Sequence, residues 1–218
     1  MSTHRSATQA DVKCHRRPVT RIITRNEGSR MGRSDESCLI GGIERREIVI
    51  VDYDLAWPSM YDRHAGVIGD ALGEKLLRIE HIGSTSVPGL AAKPIIDILA
   101  VVPDSADEPS YLPQLEAAGF VLRVREPDFY EHRMLRTAAR DVHVHVYAPG
   151  TPEIHRNLTF RDRLRTDVED RRRYEEVKRR LASRSWKEMN EYAHAKAEII
   201  DSILKATMQD GSGASARE

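Results

Sequence analysis

Residues 81–102 read HIGSTSVPGLAAKPIIDILAVV, and the order of residue types in this stretch decides the fold class. Its last eight residues, Ile95 to Val102, are almost wholly apolar, which predicts a strand buried on both faces. Gly83 to Pro94 is rich in Gly, Ser, Thr and Pro and predicts a loop. Leu76 to His81 predicts the strand that feeds it. A glycine at the turn lets the backbone come close to a ligand. Ser84 and Thr85 add hydroxyls, and successive loop amides can line a hollow that favours anions. Asp97 stands among Ile95, Ile96, Ile98 and Leu99, where an uncompensated carboxylate would be costly. Two readings follow. Either Asp97 holds a divalent cation against an anion in that hollow, or it caps a loop and the Gly83-Ser84 pair is only a turn.

Working outward, Ile48 to Val51 is a β-branched run that predicts a buried strand. Ser59 to Gly73 carries Met60, His64, Val67, Ile68 and Leu72 at helical spacing, with Gly73 as C-cap. Downstream, Tyr111 to Ala118 predicts a short helix closed by Gly119. Phe120–Val124, Arg133–Arg136 and Val142–Tyr147 predict three further strands. Glu153 to Ala182 predicts one long helix or a broken pair, and Trp186 to Ala206 another helix. Strands interleaved with helices and then helices alone predict an α+β (α/β) domain over residues 46–206 with a helical C-terminal part. Residues 1–45 are expected to be a disordered basic extension. Up to Glu36 they hold eight Lys/Arg against four Asp/Glu and little apolar material. Residues 207–218 are expected to be a flexible tail.

Composition excludes several classes. The 218 residues carry 34 Lys+Arg and 34 Asp+Glu, so no net charge draws the chain to nucleic acid or to an anionic membrane. No apolar run approaches the ~20 residues that span a bilayer. The first residues show no apolar signal segment, and the two cysteines, Cys14 and Cys38, form no C-x-x-C pair. A cytoplasmic protein with reduced thiols is the expectation. Arg171–Arg173 and Arg179–Arg180 are interrupted by Glu169, Asp170, Glu175 and Glu176, which reads as a solvated helix face. No aromatic platform accompanies them, so nucleic acid is not an expected partner.

Three other patterns bear on chemistry. In Asp141-Val-His143-Val-His145-Val146 the polar residues alternate with valines. On a strand they would face one way and the valines the core. The two imidazoles could bind a metal, contact phosphate or act as bases, or they could simply face solvent. Lys196 falls on the stripe Met189, Tyr192, Ile199, Ile203 and either snorkels or points at an anion. Arg161 and Arg165, four apart, either form a basic ridge on the cleft or pair with Asp162 and Glu169.

The residues IEHIGSTSVPGLAAKPIIDILAVV (79–102) resemble the signature of the GrpB family, a branch of the nucleotidyltransferase superfamily with the DNA polymerase β-like fold. VDYDLAWPSMY (51–61), VHVHVY (142–147), FRDRLR (160–165) and YAHAKAEII (192–200) resemble further family segments in the same order. The resemblance implies a mixed β-sheet flanked by helices. It also implies a nucleoside triphosphate, ATP by preference, bound with Mg²⁺ and donating its nucleotidyl group to a small-molecule or protein acceptor. Gly83, Ser84, Thr85, Lys93, Arg161, Arg165 and Lys196 would hold the nucleotide. Asp97, with His143 and His145 facing it, would carry the metal and the catalysis. One departure stands out: the superfamily pattern places a second acid two residues after the first, and this chain has Leu99 there. The alternatives are a catalytically degenerate nucleotide-binding or regulatory module near coenzyme A metabolism, or a hydrolytic metal site of Asp97, His143 and His145.

Overall fold

Five strands form one mixed sheet in the order β1-β2-β5-β4-β3. They are β1 (Arg78–Ile82), β2 (Ile96–Val101), β3 (Phe120–Glu126), β4 (His132–Thr137) and β5 (Val142–Tyr147). The structure, a computed structural model, describes residues 38–42, 47–186 and 189–214. Helix α1 (Trp57–Leu72) precedes β1, and α2 (Glu108–Ala117) joins β2 to β3. Four helices follow the sheet: α3 (Pro152–Thr166), α4 (Val168–Ala182), α5 (Met189–Ala195) and α6 (Ala197–Ala214). This is the α+β arrangement that the sequence pattern predicts.

Register explains how one sheet serves two purposes. β2 runs parallel to β5 with Asp97 beside His143 and Leu99 beside His145, while β1 pairs antiparallel to β2 with Ile82 beside Asp97. Side chains alternate across a strand, so Ile96, Ile98, Ala100, Val142, Val144 and Val146 all point to the opposite face. That face packs on Trp57, Ile68 and Leu72 of α1 and on Tyr111 and Leu115 of α2. Ile98, Ala100, Val142, Val144 and Val146 are fully buried there. Each buried aliphatic side chain contributes roughly 1.5–3 kcal/mol, so this face supplies most of the driving force for folding.

The other face is covered only in part. Over β1 and β2, α3 lays Leu158 and Ile154 on Ile82, Leu99, Val101 and Tyr147. α4 and α6 reach the loop after β1, where Tyr174 and Ile203 pack with Val87 and Leu90. Over β5, β4 and the end of β3 the described residues leave a cavity on this face. The broken pair between residues 153 and 182 is real. Asp167 leaves the helical conformation (φ −103°, ψ 109°) and caps α4 by accepting from the Asp170 amide at 2.8 Å.

One expectation changes. Ile48–Val51 is not a ladder strand: only Val51 pairs, with Ala92, through two hydrogen bonds of 2.9 Å. The segment is held instead by its side chains, Ile48 packing on Leu181 and Tyr192. The expected extension is described only at residues 38–42. There Leu39 bridges Val124, and the Arg123 guanidinium bonds the carbonyls of Ile40 and Gly42. The remainder, residues 1–37 and 43–46, lies outside the described residues. In the expected tail, residues 207–214 continue α6, and the last four residues lie outside the described ones. Among the described residues no helix is long and apolar enough to cross a membrane.

Candidate functional site

The chain leaves β1 through Gly83, whose backbone (φ 70°, ψ −174°) is one that L side chains rarely adopt. The turn exists because the residue has no Cβ. A Cβ there would overlap the Asp97 carboxylate and stand 3.1 Å from both Cβ and Cγ of Asp97. The glycine turn and the carboxylate are therefore in contact, on the open face of the sheet. A single turn of helix, Ser84–Ser86, follows. Ser86 donates to the Gly83 carbonyl at 2.6 Å, and Thr85 donates to the Ile95 carbonyl at 3.0 Å. Since the Thr85 hydroxyl has one hydrogen, its contact with His81 Nε2 at 3.1 Å must be accepted from an Nε2–H. Thr85 thus reaches the cavity wall, but its hydroxyl is engaged in holding the loop to β2. Ser84, half-buried, is the hydroxyl of the turn that faces the cavity.

The cavity has a volume of about 440 Å³, within the range of small-ligand sites. Gly83, Ser84, Lys93 and Asp97 line one side. His143, His145, His132 and Glu126 line the sheet floor, and Lys178 and Lys196 the helical side. His143 Nδ1 lies 3.5 Å and His145 Nε2 3.7 Å from Asp97 Oδ1. Burial pushes the Asp97 carboxyl up. When the two imidazoles carry their extra protons, their hydrogen bonds and charge outweigh that push and hold it well below the usual carboxylate range. Behind His145, His132 Nε2 lies 3.1 Å from His145 Nδ1, and His132 Nδ1 lies 2.7 Å from Glu126 Oε2. Burial is the largest influence on His132 and, despite Glu126, its pKa is lowered.

Two lysines supply positive charge from the helices. Lys178 is 2% exposed, donates to the Ala91 carbonyl and lies 4.8 Å from the centre of the Tyr174 ring. Burial, and then the charge of Lys196, push its pKa down to about 7. Lys196 sits at the break between α5 and α6, with Nζ 4.7 Å from the centre of the Tyr192 ring. Burial pulls its pKa down, but Tyr174, Tyr192 and Asp97 together shift it upward.

Gly83, Ser84, Thr85, Lys93, Asp97, His143, His145 and Lys196 thus meet at one cavity. Arg161 and Arg165 do not. Arg161 is held by Glu80 at 2.7 Å, Asp162 at 2.8 Å and the His81 carbonyl at 3.1 Å. Arg165 donates twice to the Ser86 carbonyl, at 3.0 and 2.9 Å. Both brace the turn from outside, while the first turns of α3 line the cavity with Glu153 and Asn157. Asp141 also leaves the alternating set, accepting from Thr137 at 2.6 Å across the β4–β5 turn.

Sequence reasoning missed Lys178, His132 and Glu126. Lys178 had a signal in the spacing Tyr174, Lys178, Leu181, an apolar stripe inside a charged helix. His132 and Glu126 had none, since their place beside His145 follows from the register of three strands.

The donor set decides which cation fits. The Mg²⁺ that the resemblance implies prefers oxygen ligands. Asp97 offers one carboxylate, and Leu99, where a second would stand, is fully buried with Leu158 and Ile154. The remaining donors are imidazoles, so the residues do not fit a magnesium pair, and no step is assigned to that ion.

A family model described as GrpB protein matches residues 47–206, which include every element of this site. The chain belongs to the GrpB family. A UPF0157 protein of Streptomyces coelicolor is 53% identical over 165 residues, covering 76% of this chain and 87% of its own. The crystal structure of GrpB from Enterococcus faecalis superposes with a TM-score of 0.67 at 33% identity, covering 74% of this chain and 98% of that one. A dephospho-CoA kinase of Mycolicibacterium paratuberculosis is 29% identical over 180 residues, 71% of this chain and 44% of that protein.

Proposed function

We propose that this GrpB protein binds the triphosphate of a nucleoside triphosphate in the cavity and transfers the nucleotidyl group to an acceptor hydroxyl. The observation that carries this reading is the contact between the Gly83 turn and the Asp97 carboxylate. It joins an anion-favouring hollow, in one cavity, to a carboxylate that would hold a cation against the phosphates. Ser84 and the turn amides would meet phosphate oxygens, with Lys93, Lys178 and Lys196 neutralising charge along the chain of phosphates. The acceptor oxygen would attack the α-phosphorus and form the new P–O bond. The bond to the β-phosphate breaks, pyrophosphate leaves with that electron pair, and the hydroxyl proton passes to water through the open mouth. Protonated Lys178 would suit this role, and a bound polyanion would raise its pKa from about 7.

The test is nucleotide consumption and pyrophosphate release over a panel of hydroxyl acceptors, compared with Asp97→Asn. The similarity to a dephospho-CoA kinase supports placing dephospho-coenzyme A in that panel. The expected outcome is turnover that falls at least about a hundredfold in the variant, since Asp97 is the carboxylate that would hold a cation against the phosphates. Equal turnover in both proteins would remove Asp97 from the reaction. A second reading, a nucleotide-binding module without transfer, is favoured by Leu99 packed where the second acid would be. Calorimetric nucleotide binding with no acceptor modified would select it.

A further inference from the structure

The geometry points to a binding site for one borderline transition-metal ion, zinc being the type case, formed by His143 Nδ1, His145 Nε2 and Asp97 Oδ1, with Glu126 and His132 as positioning residues. The inference deepens the proposed function by naming its cation, and its test needs no nucleotide.

Three observations carry it. First, the three donor atoms all lie within 4.8 Å of one another, and two of the separations are 3.5 and 3.7 Å. Donors about 2.0–2.1 Å from a tetrahedral zinc stand roughly 3.3 Å apart. Small side-chain shifts close that gap. Second, two imidazoles and one carboxylate are a donor set for zinc and its neighbours rather than for magnesium. The oxygen ligand that would favour magnesium is replaced by Leu99. Third, the hydrogen bonds behind the site set the ligating tautomer. The Glu126 carboxylate only accepts, so His132 Nδ1 carries the hydrogen between them. With both rings neutral, His132 Nε2 then accepts from His145 Nδ1–H. The lone pair of His145 Nε2 is left facing the Asp97 carboxylate. Two acceptors face each other across a gap sized for a cation. Carboxylate-supported histidines of this kind commonly serve metal sites, fixing ring orientation and raising ligand basicity. Here the support passes through a second imidazole.

The experiment uses the full chain, freed of any His tag and stripped with a chelator. Zinc chloride and magnesium chloride are titrated separately by calorimetry, and cobalt(II) is followed by its visible absorption. The expected result is one equivalent of zinc, not displaced by about a thousandfold excess of magnesium, and the intense bands of tetrahedral cobalt. His143→Ala and His145→Ala should each weaken zinc binding at least about a hundredfold, and Glu126→Gln and His132→Ala about 10- to 100-fold. For Glu126→Gln, a shifted cobalt spectrum with an unchanged apo melting temperature separates positioning from a merely structural effect. Should an alanine variant fail to fold, the cobalt spectrum of the unsubstituted protein decides. Six-coordinate aquo-type bands overturn the proposal. So do absence of zinc uptake, displacement by magnesium, and undiminished affinity in the His143→Ala/His145→Ala double variant. Nucleotide binding without zinc uptake removes the metal site alone, whereas zinc uptake without nucleotide binding removes the proposed function alone.

Discussion

The two faces of the sheet are built from the same strands and behave as different materials. On one, Val142, Val144 and Val146 of β5 are fully buried against α1 and α2. On the other, His143 and His145 keep about a quarter of their side-chain surface exposed and face Asp97. The difference teaches that the period of two along a strand lets one segment carry both a core and a site, provided that cover is withheld from one face. The open face is itself divided. α3 roofs β1 and β2, turning the position of a would-be second acid into hydrocarbon, and leaves β5 and β4 free for imidazoles.

Substitutions can break that comparison. The largest effect is expected from Val144→Asp, which puts an unpaired carboxylate into the packed face. It should cost at least about 4 kcal/mol and leave little folded protein. His143→Gln, one residue away on the open face, should stay within about 1 kcal/mol of the parent in urea unfolding. Similar losses for the two would erase the distinction between faces. Next comes Gly83→Ala. The strained backbone costs about 1–3 kcal/mol, and the new methyl must displace the Asp97 carboxylate. Thermal unfolding should show this modest loss together with complete loss of ligand binding. Unchanged binding would mean that the close approach is dispensable.

The smallest effect sharpens the contrast between histidines. His81 lies on the packed face, stacked on Tyr61 with ring centres 4.7 Å apart. Burial lowers its pKa from 6.5 to about 4. Asp97 and Asp62 oppose the shift, and Arg165 and Arg161 add to it. Between those values the unfolded chain takes up a proton that the folded one refuses. The stabilisation is therefore present above pH 6.5 and lost as pH falls toward 4. His81→Gln, which keeps a donor for Thr85, should flatten the stability profile between pH 7 and 5. An unaltered slope would assign the acid sensitivity to other groups.

Much of this was readable in advance, for reasons that differ by residue. The strand at β2 was legible because its residues are almost uniformly apolar, and β5 because valine and histidine alternate. α1 was legible from its spacing and from Gly83's counterpart at its own end, Gly73. Ile48–Val51 misled, because a β-branched run predicts an extended chain without telling whether a partner strand is available to it. Arg161 and Arg165 misled similarly. Their spacing places them on one helix face, but which neighbour that face meets is settled by how α3 docks. Lys178 was hidden by the arginines around it, although its spacing from Tyr174 and Leu181 marked a buried stripe.

By itself the sequence determined the local conformations and which side chains share a face, since these depend on residues a few positions apart. It also determined that a glycine turn is followed, after a loop, by a carboxylate on a strand. Only the tertiary structure decided that Glu126, His132, His145 and Asp97 stand in one line. That line crosses four strands, and its order comes from hydrogen-bond register between segments distant in the chain. No pattern within any one segment encodes that register.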